Sequence, residues 1–273
     1  MKRDGQWAVA RPFASTKMRM TLVKASMSTQ IWVDSRARQT GGTDSNFEIL
    51  LRESLHLKDA RLRVFNINFS DSFLTTSAGT QLFFALGGTN LTAVSIPTGA
   101  YTGTTLATAI QTATGRTTAY DSLKNSITHT LSSASAKWVS DEELLSYSGS
   151  AFPSGSTPEE PMSLGQVLGG ATQTTTTVTW NFVRMSPYSC LYLRSHAMSC
   201  ERTHGPRGTS NIICQVPLIN GVGSQVLANM PDSCALDLHD AVTLRSIDFQ
   251  LTDYKGRVVD LKGRPLSFQI SLD

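Results

Sequence analysis

The residues of this chain that are best suited to metal chemistry lie in its second half. They are cysteines and histidines: Cys190, His196, Cys200, His204 and His239. Thiolate and imidazole groups are the usual zinc ligands, and the spacing His196-x3-Cys200-x3-His204 would suit one face of a helix. Met198 and the Gly205-Pro206 pair favour a loop instead. We therefore expect polar loop residues here and predict no metal site.

Sequence motifs typical of catalysis are absent from the chain. It contains no G-x-S-x-G elbow, no H-E-x-x-H, no Walker-type glycine loop and no G-x-G-x-x-G after a strand. Asp34, Ser35 and the five histidines suggest no catalytic triad, because a triad is defined by geometry. The acidic runs at 141–143 and 159–160 are more simply solvated faces or helix starts than cation ligands. We predict a protein that is not an enzyme and needs no cofactor.

The cysteines and the apolar runs bear on the compartment. Cys190, Cys200, Cys214 and Cys234 include no C-x-x-C pair. Cys190 and Cys214 lie in strand-like apolar runs, so we expect free thiols in a reducing compartment. No apolar run approaches the ~20 residues of a membrane span, and the region after Met1 lacks the apolar core of a secretory signal. We expect a soluble protein with no membrane span and no signal-peptide export.

Positive charge is concentrated at the start of the chain, whose formal net charge is +3. Residues 1–26 hold one acid, Asp4, and six basic residues: Lys2, Arg3, Arg11, Lys17, Arg19 and Lys24. This part is therefore +5, and the remaining 18 basic and 20 acidic residues give −2. We expect residues 1–28 to be an extended arm, ordered only against a partner such as nucleic acid or an acidic neighbour in an assembly.

Composition and periodicity predict an all-β protein. Charged residues make up only 16% of the chain, and the many Thr, Ser and Gly residues favour strands and turns. Two strands between Ala241 and Leu272 alternate apolar with polar residues, with a one-residue slip at Arg245-Ser246, so each has one buried face. Gly256 and Gly263 lie between these strands, where turns require positive φ.

Shorter signals organise the middle of the chain. Residues 61–69 alternate as a strand, and 81–86 with 91–96 indicate a hairpin. Residues 103–114 indicate one short helix after a Thr cap. Residues 132–177 are rich in Ser, Gly, Pro and Thr, and we interpret them as a long surface insertion in a single domain spanning 29–273.

Several stretches then occur in one order along the chain. They are Asp34-Ser35-Arg36-x-Arg38, Asn66 to Ser72, Ile96-Pro97-x-Gly99-x-Tyr101-Thr102 ahead of the helix, Tyr120 to Thr128, Ser163-Leu164-Gly165, and Ile247 to Ile270. This succession resembles the penton, or vertex minor capsid, proteins of virophages, polinton-like viruses and related icosahedral double-stranded DNA viruses. The resemblance covers most of residues 29–273; residues 1–28 match no pattern of the family.

The resemblance implies a fold, an assembly and partners. The fold would be a single β-jelly-roll of two packed antiparallel sheets, and the assembly a homopentamer at each fivefold vertex of the virion, formed inside the host cell. Its partners would be major capsid proteins, other minor capsid proteins and, through the basic arm, the packaged DNA. Candidate contacts between subunits are Arg36, Arg38, Lys255 and Arg257.

Two other classes of protein remain open from the sequence. A jelly-roll attachment protein could bind a glycan or receptor through Ser/Thr/Gly-rich loops, but such a secreted binder needs an export signal and has little use for a basic arm. A cupin-like metalloenzyme would need a compact His/His/Glu/His set, whereas the five histidines are scattered from His56 to His239.

Overall fold

The computed structural model describes residues 28–86, 91–131, 136–144, 146–147, 163–174, 176–198, 203–206, 211–231, 234–238 and 241–273. The strands in these ranges are β1 (Thr29–Asp34), β2 (Asn46–Leu57), β3 (Ala60–Ser70), β4 (Gln81–Leu86), β5 (Leu91–Ser95), β6 (Thr118–Asp121), β7 (Ser126–Thr130), β8 (Ala136–Trp138), β9 (Thr177–Asn181), β10 (Cys190–Arg194), β11 (Ile212–Pro217), β12 (Gln225–Ala228), β13 (Leu236–Leu238), β14 (Val242–Thr252) and β15 (Ser267–Leu272). The helices are α1 (Gly103–Thr114), α2 (Asp141–Leu144) and α3 (Gly165–Leu168). None of these helices has the length and apolar character needed to cross a membrane.

Eight of these strands pair in a nested order. β1 pairs with β15, β2 with β14, β3 with β12, and β10 with β11, all antiparallel. The result is two four-stranded sheets in the orders β1-β15-β3-β12 and β11-β10-β14-β2, with β13 as a further partner of β3. A ribbon of antiparallel strands that is rolled up in this way is a jelly roll. The all-β jelly roll predicted from the sequence is confirmed.

The two sheets of the roll enclose one hydrophobic core. In β14 the pairing with β2 shifts between Leu244 and Ser246, where the sequence predicts the slip, and the shift keeps apolar residues on the inner face. Phe249 lies at the centre of this core and is fully buried. Its ring centroid is 4.9 Å from that of Phe268 on β15, edge to face, and 5.7 Å from that of Phe47 on β2. Aromatic contacts thus join strands of both sheets.

The chain leaves the roll after β3 and re-enters it at β10. The strands between them form two three-stranded sheets, β5-β4-β8 and β6-β7-β9. Together with α1 they enclose a second core, separate from that of the roll. Its largest fully buried members are Leu82, Leu106, Ile110, Ile127, Trp138, Leu164 and Trp180. We call residues 71–189 the inserted unit.

The interruption of the roll is therefore wider than the surface insertion predicted at 132–177. From that segment Trp138, Leu164 and Val167 are buried in the second core. The spacing of Leu164, Val167 and Leu168 predicts a helical turn packed on the core, and α3 confirms it, whereas the pair Trp138-Val139 is too short for a period to identify. Other parts of the segment, such as 148–162, lie outside the described residues. The division of the chain into a basic arm and one domain stays a prediction.

The helix predicted at 103–114 is present as α1, and local contacts explain its ends. Thr102 Oγ1 accepts a hydrogen bond from Thr105 N at 3.3 Å, and Thr105 Oγ1 accepts one from Thr102 N at 2.8 Å. This reciprocal cap satisfies two backbone donors at the first turn. Gly115 ends the helix with φ of +66°, a conformation that glycine adopts without a steric penalty.

A buried histidine makes the stability of the inserted unit depend on pH. His129 packs between Phe84 and Trp180, with ring centroids 5.6 and 6.0 Å away, and its Nδ1 lies 2.8 Å from Thr118 Oγ1. Burial lowers the pKa of His129 from 6.5 to about 4, and the charge of Arg116 acts in the same direction. The His129 imidazole is therefore protonated below about pH 6.5 in the unfolded chain but only below about pH 4 in the folded chain.

We predict that stability is lost as pH falls from 6.5 to 4, by up to about 3 kcal/mol from this group. His129→Gln should remove this part of the pH dependence, and His56→Gln, at an exposed position, should leave it unchanged. Urea unfolding at pH 7 and pH 4.5 measures both. A His129→Gln variant with the full pH dependence of the wild type would contradict the assignment.

Candidate assembly surfaces

The connection between β1 and β2 carries two of the predicted contact residues and crosses from one sheet to the other. Ser35 is fully buried there. Its amide donates to Leu266 O at 2.9 Å, its Oγ donates to Asp44 Oδ1 at 3.0 Å, and Leu266 N donates back to Ser35 Oγ at 3.1 Å. These bonds fix the corner to the chain that enters β15, so the two arginines that follow start from a rigid backbone.

Arg36 and Arg38 differ in what they contact. Arg38 donates to Asp44 Oδ1 at 2.7 Å, Ser35 O at 2.9 Å and Gly42 O at 3.0 Å, so its guanidinium fastens its own corner. The Arg36 side chain is 74% exposed and pairs with Asp34 at 2.6 Å. Hydrogen bonds from Arg36 hold the pKa of the Asp34 carboxyl below its usual value. Only Arg36 of this pair presents its charge at the surface.

The turn after β14 carries the other two predicted contacts. Asp253 is 1% exposed, and its Oδ1 accepts hydrogen bonds from the amides of Lys255 and Arg257 at 2.8 and 3.0 Å. Its Oδ2 accepts from Arg257 Nε at 2.9 Å and Nη2 at 2.6 Å. Gly256 has φ of +83°, as the sequence predicts for this turn, and the guanidinium of buried Arg194 lies 3.7 Å from where its Cβ would be.

The Arg257 guanidinium therefore closes this turn on a buried carboxylate. Lys255 Nζ lies 5.6 Å from the Tyr254 ring, at the surface of the turn. Among the four predicted contacts, Arg36 is exposed and the other three are partly exposed, and Arg38 and Arg257 each hold a turn in its conformation. The six basic residues of the arm lie outside the described residues.

Of the cysteines and histidines considered as metal ligands, the structure describes Cys190, His196 and His204. His196 Nδ1 lies 2.8 Å from Asp248 Oδ2, and the amides of His196 and Ala197 donate to the same carboxyl at 3.0 and 2.8 Å. Burial alone would raise the pKa of Asp248, but these hydrogen bonds lower it overall. Cys200 and His239 lie outside the described residues. Within the ranges given above, no group of three or more His, Cys, Asp or Glu side chains could hold a metal ion.

Large apolar side chains are exposed at two opposite edges of the roll. Strands β1 and β2 form one edge, where Trp32 is 75% and Leu50 62% exposed. Strand β11 of one sheet, strand β12 of the other and the connection between them form the other edge, where Ile219 of the connection is 82% and Leu227 of β12 is 74% exposed. We call these the β1–β2 edge and the β11–β12 edge. Sequence reasoning missed them, because an exposed apolar residue cannot be distinguished from a buried one by type alone.

One sequence signal could have located the β11–β12 edge. No charged residue lies between Arg207 and Asp232, whereas β2 and β3 carry several. Protein interfaces are depleted of charge at their centres and enriched in apolar side chains. An uncharged, exposed edge is therefore typical of a surface that another protein covers.

A cavity of about 680 Å³ opens on the β11–β12 edge. Among the residues that line it are Tyr192, Ile212, Cys214, Gln215, Met230 and Leu236. No Asp, Glu, Lys or Arg is present among the described residues of its lining. Burial raises the pKa of the Cys214 thiol to about 11, so this thiol stays protonated at neutral pH. The described part of the lining therefore contributes no carboxylate, ammonium or guanidinium group to this space between the two sheets.

A third exposed apolar surface lies on the inserted unit. Leu123 is 97% exposed on the turn between β6 and β7, and Phe182 is 81% exposed just after β9. Asn125 Nδ2 donates to Val183 O at 3.0 Å and joins the two turns. Phe182 has φ of +56°, which a bulky side chain rarely adopts.

Comparison with known proteins adds a similar solved structure. No family model matches the chain, and no curated protein matches it. Among solved structures, the crystal structure of the selenomethionine-labelled mavirus penton protein is similar to this chain, with 11% sequence identity and a TM-score of 0.48. The similarity covers 90% of this chain and 99% of that chain.

The two corner arginines give a matched pair for mutation. We predict that Arg38→Ala lowers the free energy of unfolding by about 1–3 kcal/mol, because it removes the charged partner of the partly buried Asp44 carboxyl, which keeps its bond from Ser35 Oγ, and the side-chain donor to the carbonyl groups of Ser35 and Gly42. Arg36→Ala should change it by less than about 0.5 kcal/mol, because the pair is exposed. Urea denaturation of both variants measures the difference. Equal effects of the two substitutions would contradict the distinction.

Proposed function

We propose that this protein is a structural capsid protein, a penton that forms homopentamers at the fivefold vertices of an icosahedral virion. The observation that carries the proposal is the jelly roll with its two different, exposed apolar edges. The ordered succession of sequence motifs that resembles penton proteins supports the same assignment. A rigid roll with its connections at the two ends suits a shell subunit.

The two edges favour a ring over a two-fold dimer. A two-fold interface uses one surface on both partners, whereas a ring needs two different surfaces that match each other. The β1–β2 edge and the β11–β12 edge meet this requirement, because they lie on opposite sides of the sandwich and both expose apolar side chains. Each copy in a closed ring would cover one edge of each neighbour.

The proposed partners follow from the location. The ring would contact major capsid proteins and other minor capsid proteins around the vertex. The basic arm, with its charge of +5, would lie under the shell and contact an acidic neighbour or the packaged DNA. Assembly would take place inside the host cell, in agreement with the free thiols of Cys190 and Cys214.

One observation favours a second candidate, a jelly-roll protein that binds a glycan or receptor. A cleft of about 280 Å³ between the roll and the inserted unit is rich in hydroxyl groups, including those of Ser72, Thr75, Thr80, Thr98 and Ser163, with the Tyr188 ring beside them. Hydroxyl groups and an aromatic ring are suited to a sugar. Glycan-array binding at micromolar affinity, without ring formation, would favour this candidate over the penton.

We predict that the purified protein forms a ring of five, either alone or when capsids assemble. Five chains of 29.6 kDa give a particle of about 148 kDa, which mass photometry resolves from a monomer. The population should rise with protein concentration, because the contacts are apolar and not covalent. A stable trimer, or a monomer that never occupies vertices, would contradict the proposal.

The arm gives a second prediction. Deletion of residues 1–26 should leave the melting temperature of the folded part unchanged and prevent incorporation into shells, because the arm supplies contacts and no core. As a matched control, replacing Lys2, Lys17 and Lys24 by Arg keeps the charge and should preserve incorporation. Co-expression with the capsid proteins and analysis of purified particles measures the result. Normal incorporation of the deleted protein would show that the arm is dispensable.

A further inference from the structure

We propose that the inserted unit binds a small neutral phenol in a cavity of about 200 Å³ between its two sheets. The phenol ring lies against the apolar lining of the cavity, and its hydroxyl donates a hydrogen bond to Nε2 of His129. This site is separate from the edges that the proposed ring uses, so it adds a ligand to the protein rather than a contact between subunits.

The cavity lies where the two sheets of the inserted unit meet the last turn of α1. Its described lining is made of Phe84, Thr92, Val94, Ala113, Thr114, Arg116, His129, Leu131 and Ala136. Phe84, Leu131 and Ala136 are buried members of the second core, whereas Thr92, Ala113 and Arg116 are exposed, so the cavity opens to solvent on their side. An apolar cavity of roughly 150 Å³ can hold benzene, so this one has room for a single substituted ring.

His129 is the buried polar side chain of the described lining, and its hydrogen bonds define its tautomer. It is 2% exposed, and its Nδ1 lies 2.8 Å from Thr118 Oγ1. The same hydroxyl donates to Arg116 O at 3.2 Å. Because a hydroxyl has one hydrogen, both bonds form together only if Nδ1 carries a proton and donates it to Thr118. The Nε2 atom of the neutral ring is then an unprotonated acceptor.

This acceptor lacks a donor within the part of the chain that the structure describes. The His129 ring lines the cavity, and its hydrogen bond to Thr118 is made through Nδ1 alone. Burial lowers the pKa of His129 to about 4, so Nε2 stays unprotonated at neutral pH. A buried acceptor without a partner carries a desolvation cost, which a donor on a ligand would remove. The ligand must therefore present a donor such as a hydroxyl group.

The surroundings of His129 favour an aromatic body for this ligand. The ring centroid of Phe84 lies 5.6 Å from that of His129, with an angle of 32° between the rings. Two aromatic side chains thus already face the region into which a further ring would pack. The guanidinium of Arg116, which is exposed, can attract the face of an aromatic ring.

Charge favours a neutral ligand. Arg116 is the charged residue of the described lining, and it opposes a cation. The last carbonyl groups of α1, which ends at Thr114 beside the cavity, oppose an anion. The segments 87–90 and 132–135, which adjoin the lining strands outside the described residues, contain no Asp, Glu, Lys or Arg. A phenol satisfies these conditions better than an amine or a carboxylate.

Two matched probes test the hydrogen bond to Nε2. One is 4-ethylphenol, and the other is 4-ethylanisole, whose ether oxygen cannot donate. Isothermal titration of the full chain at pH 7 should give a Kd below about 1 mM for 4-ethylphenol. Binding of 4-ethylanisole should be roughly tenfold weaker, because it leaves Nε2 unpaired. Tyramine, which adds an ammonium group to 4-ethylphenol, should bind roughly fivefold more weakly than 4-ethylphenol.

Substitutions assign these differences to single residues. His129→Leu should bind 4-ethylphenol and 4-ethylanisole with equal affinity, because it removes the acceptor. Arg116→Gln should reduce the discrimination against tyramine. Lys124→Gln is the matched control, because Lys124 is an exposed cation on the turn at the other end of the same sheet, and it should change neither ratio. If His129→Leu does not fold, the comparison of the probes on the wild type and on Arg116→Gln still decides the question.

Three results would overturn the proposal. They are equal affinities of the wild type for 4-ethylphenol and 4-ethylanisole, no saturable binding of 4-ethylphenol up to about 10 mM, and binding of a tyrosine-containing peptide without binding of 4-ethylphenol. The last result would assign the cavity to a protein partner. Each can be measured on the purified chain whether or not it forms a ring, so the outcome is independent of the penton assignment.

Discussion

The antiparallel pairing of β1 with β15 is the constraint on which the rest of the structure depends. It aligns Thr29 with Leu272 and Asp34 with Ser267, so the two ends of the described chain meet in one sheet. Once the first and last strands are paired, the remaining pairs of the roll, β2 with β14, β3 with β12 and β10 with β11, lie between them in the chain. The buried Ser35 corner strengthens this closure through its bonds to Leu266.

This closure also determines where the molecule is exposed. Nesting leaves β1 and β2 at one side of the sandwich and β11 and β12 at the other, and among the described residues each of these strands pairs with a neighbour on one side only. Proteins usually protect such edges with charge. Here β2 carries the exposed charges of Glu48, Arg52 and Glu53, but Trp32 and Leu50 are exposed on the same edge, and Ile219 and Leu227 on the other. Association would remove these apolar side chains from water. The inserted unit, with its own core, adds Leu123 and Phe182 to the exposed apolar surface without disturbing the nesting.

The parts of the fold that the sequence predicts are those with local causes. The slip at Arg245-Ser246, the positive φ of Gly256 and Gly263, and the capped helix α1 each follow from a few neighbouring residues. Strand pairing cannot be predicted in this way, because a period of two identifies a buried face and not its partner. Arg38 and Arg257, predicted as contacts between subunits, also hold turns of their own chain, since the sequence does not reveal that Asp44 and Asp253 turn back toward them. Trp32 was passed over because exposure depends on the sheet order.

A reconstruction of assembled particles at side-chain resolution tests the central claim most directly. We predict five copies of this chain around each fivefold axis, with the β1–β2 edge of each copy against the β11–β12 edge of the next and the rolls upright at the vertex. Copies at threefold or quasi-sixfold positions, or a vertex occupied by another protein, would contradict it.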